Sequence, residues 1–371
     1  MSKKRIIHFF KNRSNIFNDT FVSQVESLEE LREHYQHQFI FMDKSPDIHE
    51  SSCCQYIYLE DSRTIVEKFL IMMNVAKQAD LILVHGLFHP YYILLLACCR
   101  SLCSKASWVV WGGDIYGWSG NDLPIFYNLL KKIRSLLVQR IINNLNAIVT
   151  LSPGDYETIL STYVANAKHL NTFYPNPVLL RYFDQATQSR GQTNNATRNI
   201  LLNNSATYLN EHIEVIDILK RKEEVPFNLI CPLSYGDKES LVKLPQFIKY
   251  CKEHLGEKFH PITSFMDPSD YACLLRTINV GIVNYRRQQA IGTITPLLYV
   301  GAKVYLRKDT SIYKWLSDLG LIIFNVDELP DISGNEIFEF SEVFRNKNKN
   351  IITDHFSNSN YIKMWKVVFD S

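Results

Sequence analysis

The sequence predicts an α/β protein built from two doubly wound, Rossmann-like parallel-sheet domains facing a cleft. Short apolar runs alternate with longer segments of helical period, which is the pattern of a parallel sheet covered on both faces. That alternation stops at a polar stretch near the middle and then starts again. The chain has 371 residues, enough for two domains at ~100–200 residues each. With 46% hydrophobic and 21% charged residues it has the balance of a globular protein rather than a disordered one.

In chain order the predicted strands of the first half are Arg5–Phe10, Phe39–Asp43, Gln55–Glu60, Leu81–His85, Trp108–Gly112, Ala147–Ser152 and His169–Tyr174. Helical patterns lie between them at Thr64–Ala79, Tyr91–Cys103, Leu123–Asn143 and Pro153–Tyr163. Tyr174-Pro-Asn-Pro177 is turn chemistry, and 185–199 is polar and nearly free of apolar residues, so a linker is placed at 179–198. The second half gives strands Asn199–Asn203, Phe227–Leu233, Phe259–Thr263, Val280–Tyr285 and Lys303–Leu306. Its helices are Asn210–Lys220, Lys238–His254, Pro268–Thr277 and Pro296–Gly301. The reading is thus a first domain at 1–178, a second at 199–350, and a C-terminal helical segment, 351–371, that packs back on the first.

Several classes are excluded. A formal charge of +2 lacks the basic excess of a nucleic-acid binder, so none is expected as partner. The eight cysteines form no Cys-x-x-Cys pair, so buried free thiols are expected and no zinc site. Ile6–Phe10 is too short for a signal peptide's apolar region, and Leu81–Cys99 is broken by His85, Gly86, His89 and Pro90, so no membrane span is predicted. There is no Gly-Lys-Ser/Thr loop and no Gly-x-Ser-x-Gly elbow.

Open parallel sheets bind ligands outside the carboxyl ends of their strands, so the residues that follow each strand are the candidates. His85 and Gly86 follow one apolar run; a structural histidine is the competing account. Trp111-Gly-Gly-Asp-Ile-Tyr116 follows another, and Asp114 is placed to act as a base or to fix a hydroxyl, against a plain helix cap. In the second half Asn204 and Ser205 feed a helix beginning near Asn210-Glu-His212, small polar residues that suit a phosphate. The fullest signal is Asn284–Leu298, where Arg287, Gln288, Gln289, Gly292 and Thr293 suit a pyrophosphate and a sugar. There Thr295 or Thr293 is expected to cap a helix with Pro296 near its first position. No Asp-x-Asp element is present, so neutralising a departing diphosphate would fall to backbone N–H groups and cations such as Arg287, without a metal cofactor. Apolar residues at 130, 133, 137, 141, 145 and 148 among Lys131, Lys132, Arg134 and Arg140 make a basic amphipathic helix, suited to a domain core or to an anionic membrane surface.

Together these stretches resemble one family, the transferases that move 4-acetamido-4,6-dideoxygalactose (Fuc4NAc) from its dTDP carrier onto lipid II of enterobacterial common antigen, glycosyltransferase family 56. The resemblance rests on Val84-His-Gly-Leu-Phe88, Trp111-Gly-Gly-Asp-Ile-Tyr116, Asn204-Ser205 with Asn210-Glu-His212, Pro232 with Tyr235, and Arg287-Gln-Gln-Ala-Ile-Gly-Thr293. The first seventy residues match only loosely, through Ile7-His8 and Asn18. Three features depart from the family pattern: Lys11-Asn-Arg-Ser14 is not glycine-rich, and Asn203 and Ala290 stand where the family tends to have Gly.

The resemblance implies a GT-B architecture, with a nucleotide-sugar donor on the second domain and an undecaprenyl-diphosphate-linked saccharide acceptor on the first. It implies peripheral attachment at the cytoplasmic face of the inner membrane. The donor side then comprises Asn204, Ser205, Asn210, Glu211, His212, Tyr235, Arg287, Gln288, Gln289, Gly292 and Thr293. The acceptor side comprises His8, Gly86, Trp111, Gly112, Gly113 and Tyr116, with His85 or Asp114 as catalytic groups. A glycosyltransferase of the same fold with another nucleotide sugar and acceptor, a sugar-nucleotide epimerase and a non-catalytic binding protein are the alternatives.

Overall fold

A computed structural model describes residues 3–43, 50–59, 64–116, 125–176, 178–179, 183, 198–222 and 225–371, with the side chains of 116 and 125–128 outside that description. Most of the expected linker at 179–198 lies outside the described residues. The chain divides into two compact units, Met1–Pro175 with Ser357–Ser371, and Asn176–Phe356.

The first unit carries seven parallel strands: β1 Lys4–Phe10, β2 Tyr35–Phe41, β3 Gln55–Tyr58, β4 Leu81–His85, β5 Ala106–Val110, β6 Ala147–Thr150 and β7 Lys168–Asn171. They lie in the order β3-β2-β1-β4-β5-β6-β7, so the winding reverses between β1 and β4. Ile7, Phe9, Ile82, Val84, Trp108 and Val110 face one side and pack under helices Ile65–Lys77, Pro90–Cys98 and Ile125–Ile142. The other side is aromatic. There His8, Phe10 and Phe39 meet Phe21 of helix Ile16–Ser27 and Phe369 of helix Asn358–Phe369. The C-terminal helix is fastened by the Trp365 indole N–H, which donates to Phe173 O at 3.0 Å.

The second unit carries β8 Asn199–Leu202, β9 Asn228–Pro232, β10 Phe259–Ile262, β11 Val280–Val283, β12 Lys303–Leu306 and β13 Phe324–Asn325. All are parallel, in the order β10-β9-β8-β11-β12-β13, and the reversal falls between β8 and β11. Two apolar layers cover its faces, one around Ile200, Leu229 and Ile282, the other around Leu201, Val283 and Val304.

Four expectations change. The second strand begins at Tyr35 rather than Phe39, and it is preceded by two helices, Ile16–Ser27 and Glu29–His34, that the sequence reading left unassigned. The expected boundary at 350/351 falls inside helix Glu342–His355. The basic amphipathic stretch 129–148 is not one helix: the helix ends at Ile142 and β6 begins at Ala147. All eight cysteines are free, but only Cys103, Cys231 and Cys251 are buried, while Cys53, Cys98 and Cys273 are exposed.

Candidate functional site

In the second unit the reversal between β8 and β11 is marked by two left-handed residues and two unusual helix starts. Asn203 (φ 57) follows β8, and its Oδ1 accepts the Asn284 N–H at 2.9 Å, tying the ends of β8 and β11 together. Ala290 (φ 67) opens helix Ile291–Val300. These are the two positions at which the resemblance leads one to expect glycine. Asparagine tolerates the left-handed region, whereas alanine is strained there by about 1 kcal/mol.

Tyr208 (φ 54) opens helix Leu209–Leu219 in the same way. Neither helix has a side-chain cap. The unit's other α-helices whose starts are described are capped by Asp237, Asp267, Thr310, Ser333 and Ser341. Glu211 N–H and Thr293 N–H turn back onto Tyr208 O and Ala290 O at 2.9 Å. That leaves the first two N–H groups of each helix, those of Leu209 and Asn210 and of Ile291 and Gly292, at the positive end of a helix dipole beside the sheet's reversal point.

The helix start at Ile291 corrects the expected cap. Pro296 lies inside the helix, not near its first position, and Thr295 Oγ1 donates back to Ile291 O at 2.9 Å. Proline has no N–H for the carbonyl four residues earlier. That carbonyl, Gly292 O, is served instead by Asn176 Nδ2 at 3.2 Å. Thr293 is buried, with Oγ1 2.9 Å from the Tyr271 hydroxyl, so it braces the helix rather than presenting a free hydroxyl.

Ser205 is likewise an internal brace. Its hydroxyl lies 3.0 Å from Thr207 Oγ1 and from Tyr285 Oη, and accepts from Gln289 Nε2 at 3.3 Å. Tyr235 is half exposed and accepts from Asn204 Nδ2 at 2.8 Å. Gly236 beside it has no room for a side chain: a Cβ would stand 2.8 Å from the Ala206 carbonyl carbon. Arg287 lies over the exposed Tyr208 ring at 5.0 Å, with Nε 3.3 Å from Gln289 Oε1. Gln288 Oε1 accepts from Ser311 Oγ at 3.3 Å, and Asn210 is exposed in the first turn of its helix.

The polar atoms here are left incomplete. Among the described residues, every buried side-chain N or O of the second unit without a hydrogen-bond partner belongs to this place: Asn203 Nδ2, Asn204 Oδ1, Glu211 Oε2, His212 Nε2 and Asn284 Oδ1. Leaving such an atom unpaired costs roughly 1–3 kcal/mol, so the cluster is built to be completed. His212 is fully buried and its Nδ1 lies 3.4 Å from Tyr208 O. Burial holds its pKa down at about 4, so at neutral pH the ring is neutral, with one nitrogen donating and the other, set by the Tyr208 and Ser205 backbone groups, left to accept. Burial raises the Glu211 pKa, with Arg286 at 3.7 Å opposing.

The first unit's edge is closed instead. Asp114 is buried, and its carboxylate accepts the Trp108 indole N–H at 2.7 Å and the backbone N–H groups of Leu87 and Trp111 at 3.1 and 3.0 Å. Arg134 adds bonds to the carbonyls of Leu87 and Asp114 at 3.1 and 3.2 Å. Burial raises the Asp114 pKa against these donors. The residue clasps the turns after β4 and β5, and this corrects its assignment as a base. Gly86 (φ 87) and Gly112 (φ 73) make the two turns, and the Phe88 ring occupies the space where a Gly86 side chain would stand.

His85 is also not open to a ligand. It is buried, stacked on Phe10 at 3.9 Å, bonded through Nδ1 to the Tyr174 hydroxyl and 3.0 Å through Nε2 from His8 Nδ1. His8 Nε2 in turn lies 2.9 Å from His37 Nδ1. His8 therefore joins His85 inside the unit and does not face a ligand. Trp111 is half-buried, Gly113 sits beside Phe88, and the Tyr116 side chain lies outside the described residues. His37, Tyr174, Tyr208 and Asn284 were not singled out from sequence; only the Asn284–Leu298 stretch carried a signal that could have drawn attention to one of them. Among the described residues no group of His, Cys, Asp or Glu able to hold a metal is found.

One seven-stranded and one six-stranded Rossmann-like unit have the architecture of the GT-B class. The chain belongs to glycosyl transferase group 56, described as 4-alpha-L-fucosyltransferase, whose profile matches residues 4–371. Among solved structures, the sucrose-phosphate synthase of Thermosynechococcus elongatus is similar at TM-score 0.68 and 11% identity, covering 99% of this chain and 98% of that one. A structure from E. coli described as trehalose-6-phosphate bound with UDP-2-fluoro glucose gives TM-score 0.66 and 9% identity over 99% of both chains. The UDP-N-acetylglucosamine 2-epimerase, so described, of Listeria monocytogenes gives 0.54 and 14%, covering 99% of this chain and 95% of that one. At such identities the likeness is one of fold.

Proposed function

We propose that this glycosyltransferase moves a deoxyamino sugar, Fuc4NAc or a close relative, from a dTDP-sugar to an undecaprenyl-diphosphate-linked saccharide, without a metal cofactor. The observation that carries the donor half is the pair of uncapped helix starts, Leu209 and Ile291, on either side of the β8/β11 reversal. A diphosphate satisfies both sets of N–H groups, and Arg287 supplies a positive charge as the leaving group departs. His212 and Asn204 Oδ1 accept from the base or the sugar, and the exposed rings of Tyr208 and Tyr235 offer faces for stacking.

The acceptor half is supported by the first unit's surface. Leu129, Leu130, Ile133 and Leu136 are exposed on helix Ile125–Ile142, beside Lys131 and Lys132. That helix and its neighbour Pro90–Cys98 contain no Asp or Glu. Apolar side chains among lysines on an acid-free face suit the anionic surface of a bilayer, here the cytoplasmic face of the inner membrane. Among the described residues no helix is long and apolar enough to cross it.

A thermal-shift panel of nucleoside-diphosphate sugars, with and without EDTA, tests the donor site. We expect dTDP-sugars to stabilise the wild type whether or not EDTA is present, and Arg287→Ala to lose that response. Stabilisation abolished by EDTA overturns the metal-free site; a preference for another nucleotide overturns the donor.

A further inference from the structure

We propose that His37, His8, His85 and Tyr174 form one directed hydrogen-bond chain that orients the Tyr174 phenol toward Trp111, making Trp111 the stacking platform for the acceptor saccharide and Tyr174 its positioning residue. This rests on the reading that the first unit takes the acceptor.

The chain is assembled by sheet register. His8 lies in β1 between β2 and β4, the strand pair on which the winding reverses. His37 reaches it from β2 at 2.9 Å and His85 from β4 at 3.0 Å, and Tyr174, following β7, closes the line on His85 Nδ1. All three imidazoles are buried among Phe10, Phe21, Phe39 and Phe369. Burial keeps each of them neutral at pH 7. A neutral imidazole has one donor and one acceptor nitrogen, so fixing the tautomer of one member fixes the others.

Both ends select the same direction. At the far end the Leu31 backbone acts on the His37 ring in the sense that favours its proton, and since Nδ1 faces His8 the nitrogen left to carry it is the buried Nε2. At the near end the Trp111 indole, which can only donate, meets the Tyr174 ring with centroids 4.6 Å apart, and its buried N–H, without a well-formed bond, acts on the Tyr174 hydroxyl from the donor side. The phenol oxygen must therefore accept on that side, and its own proton goes to His85 Nδ1. His85 then donates from Nε2 to His8 Nδ1, His8 from Nε2 to His37 Nδ1, and His37 keeps its proton on Nε2. In the reverse direction the Tyr174 proton would face only the donor indole, whereas in this direction the His37 proton lies beside the Leu31 backbone that favours it.

The consequence falls on Trp111. Its half-buried indole opens the Trp-Gly-Gly turn at the carboxyl edge of β5 and meets Tyr174 and Phe17 at steep angles, 67° and 73°, so neither ring is stacked on it. Gly112 and Gly113 beside it carry no side chain to block approach. A rigid aromatic face with a polar tip and bare backbone alongside suits the C–H face of a sugar ring.

Nitrogen-15 spectra of histidine-labelled enzyme at pH 7 read the chain without any ligand. We expect His8, His37 and His85 all neutral and all protonated on Nε2; a proton on Nδ1 of any of them, or an imidazolium, overturns it. The platform is read by steady-state kinetics with a water-soluble short-prenyl diphosphate disaccharide as probe acceptor. Tyr174→Phe should raise the acceptor KM about tenfold while the donor KM holds, with the melting temperature falling by a few degrees as His85 Nδ1 loses its donor, and Trp111→Phe should retain far more acceptor affinity than Trp111→Ala. An acceptor KM unchanged in Tyr174→Phe, or donor and acceptor KM rising together, overturns the platform. A wild type that binds dTDP-sugar but never uses the probe removes the acceptor reading and the platform with it, while the spectra still decide the chain.

Discussion

The two units present the same edge of the same kind of sheet in opposite conditions. Where β1 and β4 diverge, most polar side chains bond one another, three imidazoles and a phenol in line and a carboxylate holding three N–H groups, with His37 Nε2 and the Trp111 N–H left over. Where β8 and β11 diverge, five polar atoms and two helix starts are left open. One edge is preset before any ligand arrives, and the other is completed by it. A reversal in strand order makes a place for a ligand but does not say how much of the binding surface the protein finishes in advance.

Arg287→Ala should break the comparison most. Removing the cation from the open edge should cut turnover roughly 10²–10³-fold, about 3–4 kcal/mol of barrier, while the unfolding of the first unit stays as in wild type. Initial-rate kinetics beside a denaturation curve measures both. Asp114→Ala should do the converse, stranding three buried N–H groups and costing the first unit about 3 kcal/mol, with dTDP-sugar binding at the second unit retained. Urea denaturation with domain-resolved hydrogen exchange reads it, and loss of donor affinity without loss of stability would restore Asp114 to the chemistry.

Acid should separate the units next. Burial depresses the pKa values of His8, His37 and His85 in the first unit and of His212 in the second. Such groups stay neutral in the fold but take up protons on unfolding below about pH 6.5. Stability is therefore complete above that pH and drains as pH falls toward about 4, by up to ~1.4 kcal/mol per pH unit for each imidazole. Asp114 and Glu211, raised by burial, act in the opposite sense, one in each unit. Hydrogen exchange between pH 6.5 and 4 should find the first unit opening earlier; equal slopes would contradict the neutral chain. The smallest effect is Ala290→Gly, which relieves the left-handed residue and should stabilise the second unit by about 0.5–1 kcal/mol, seen as a higher urea midpoint at unchanged m.

Much of the fold was legible because a buried parallel strand is a short apolar run and little else imitates it between turn residues. Leu81–His85 and Lys303–Leu306 read without error. Helices such as Ser311–Asp318 and Glu342–His355 went unread because their polar faces dominate and only a few side chains, Trp315 or Ile352, touch the core. The open edge was partly visible: Arg287, His212 and Asn204 follow strands in the expected way. The closed edge was not. His8, His37 and His85 are 29 to 77 residues apart, and only the register of three strands reveals that they meet. Nor can a sequence tell a carboxylate facing a ligand from one, like Asp114, consumed by its own turn.

The bond from Asn176 to Gly292 sets where the second unit can be cut from the chain. Because Pro296 leaves that carbonyl without its helical donor, the residue that repairs the helix sits 116 positions upstream. It also turns the following chain, its Oδ1 accepting the Val178 N–H at 3.0 Å. A fragment starting at the first strand, Asn199, would carry the whole sheet and still lack this repair, whereas one starting at Asn176 would carry its own. Any exchange of donor-binding halves between relatives therefore has its natural breakpoint before Asn176, at the end of the first unit rather than at the start of the second sheet.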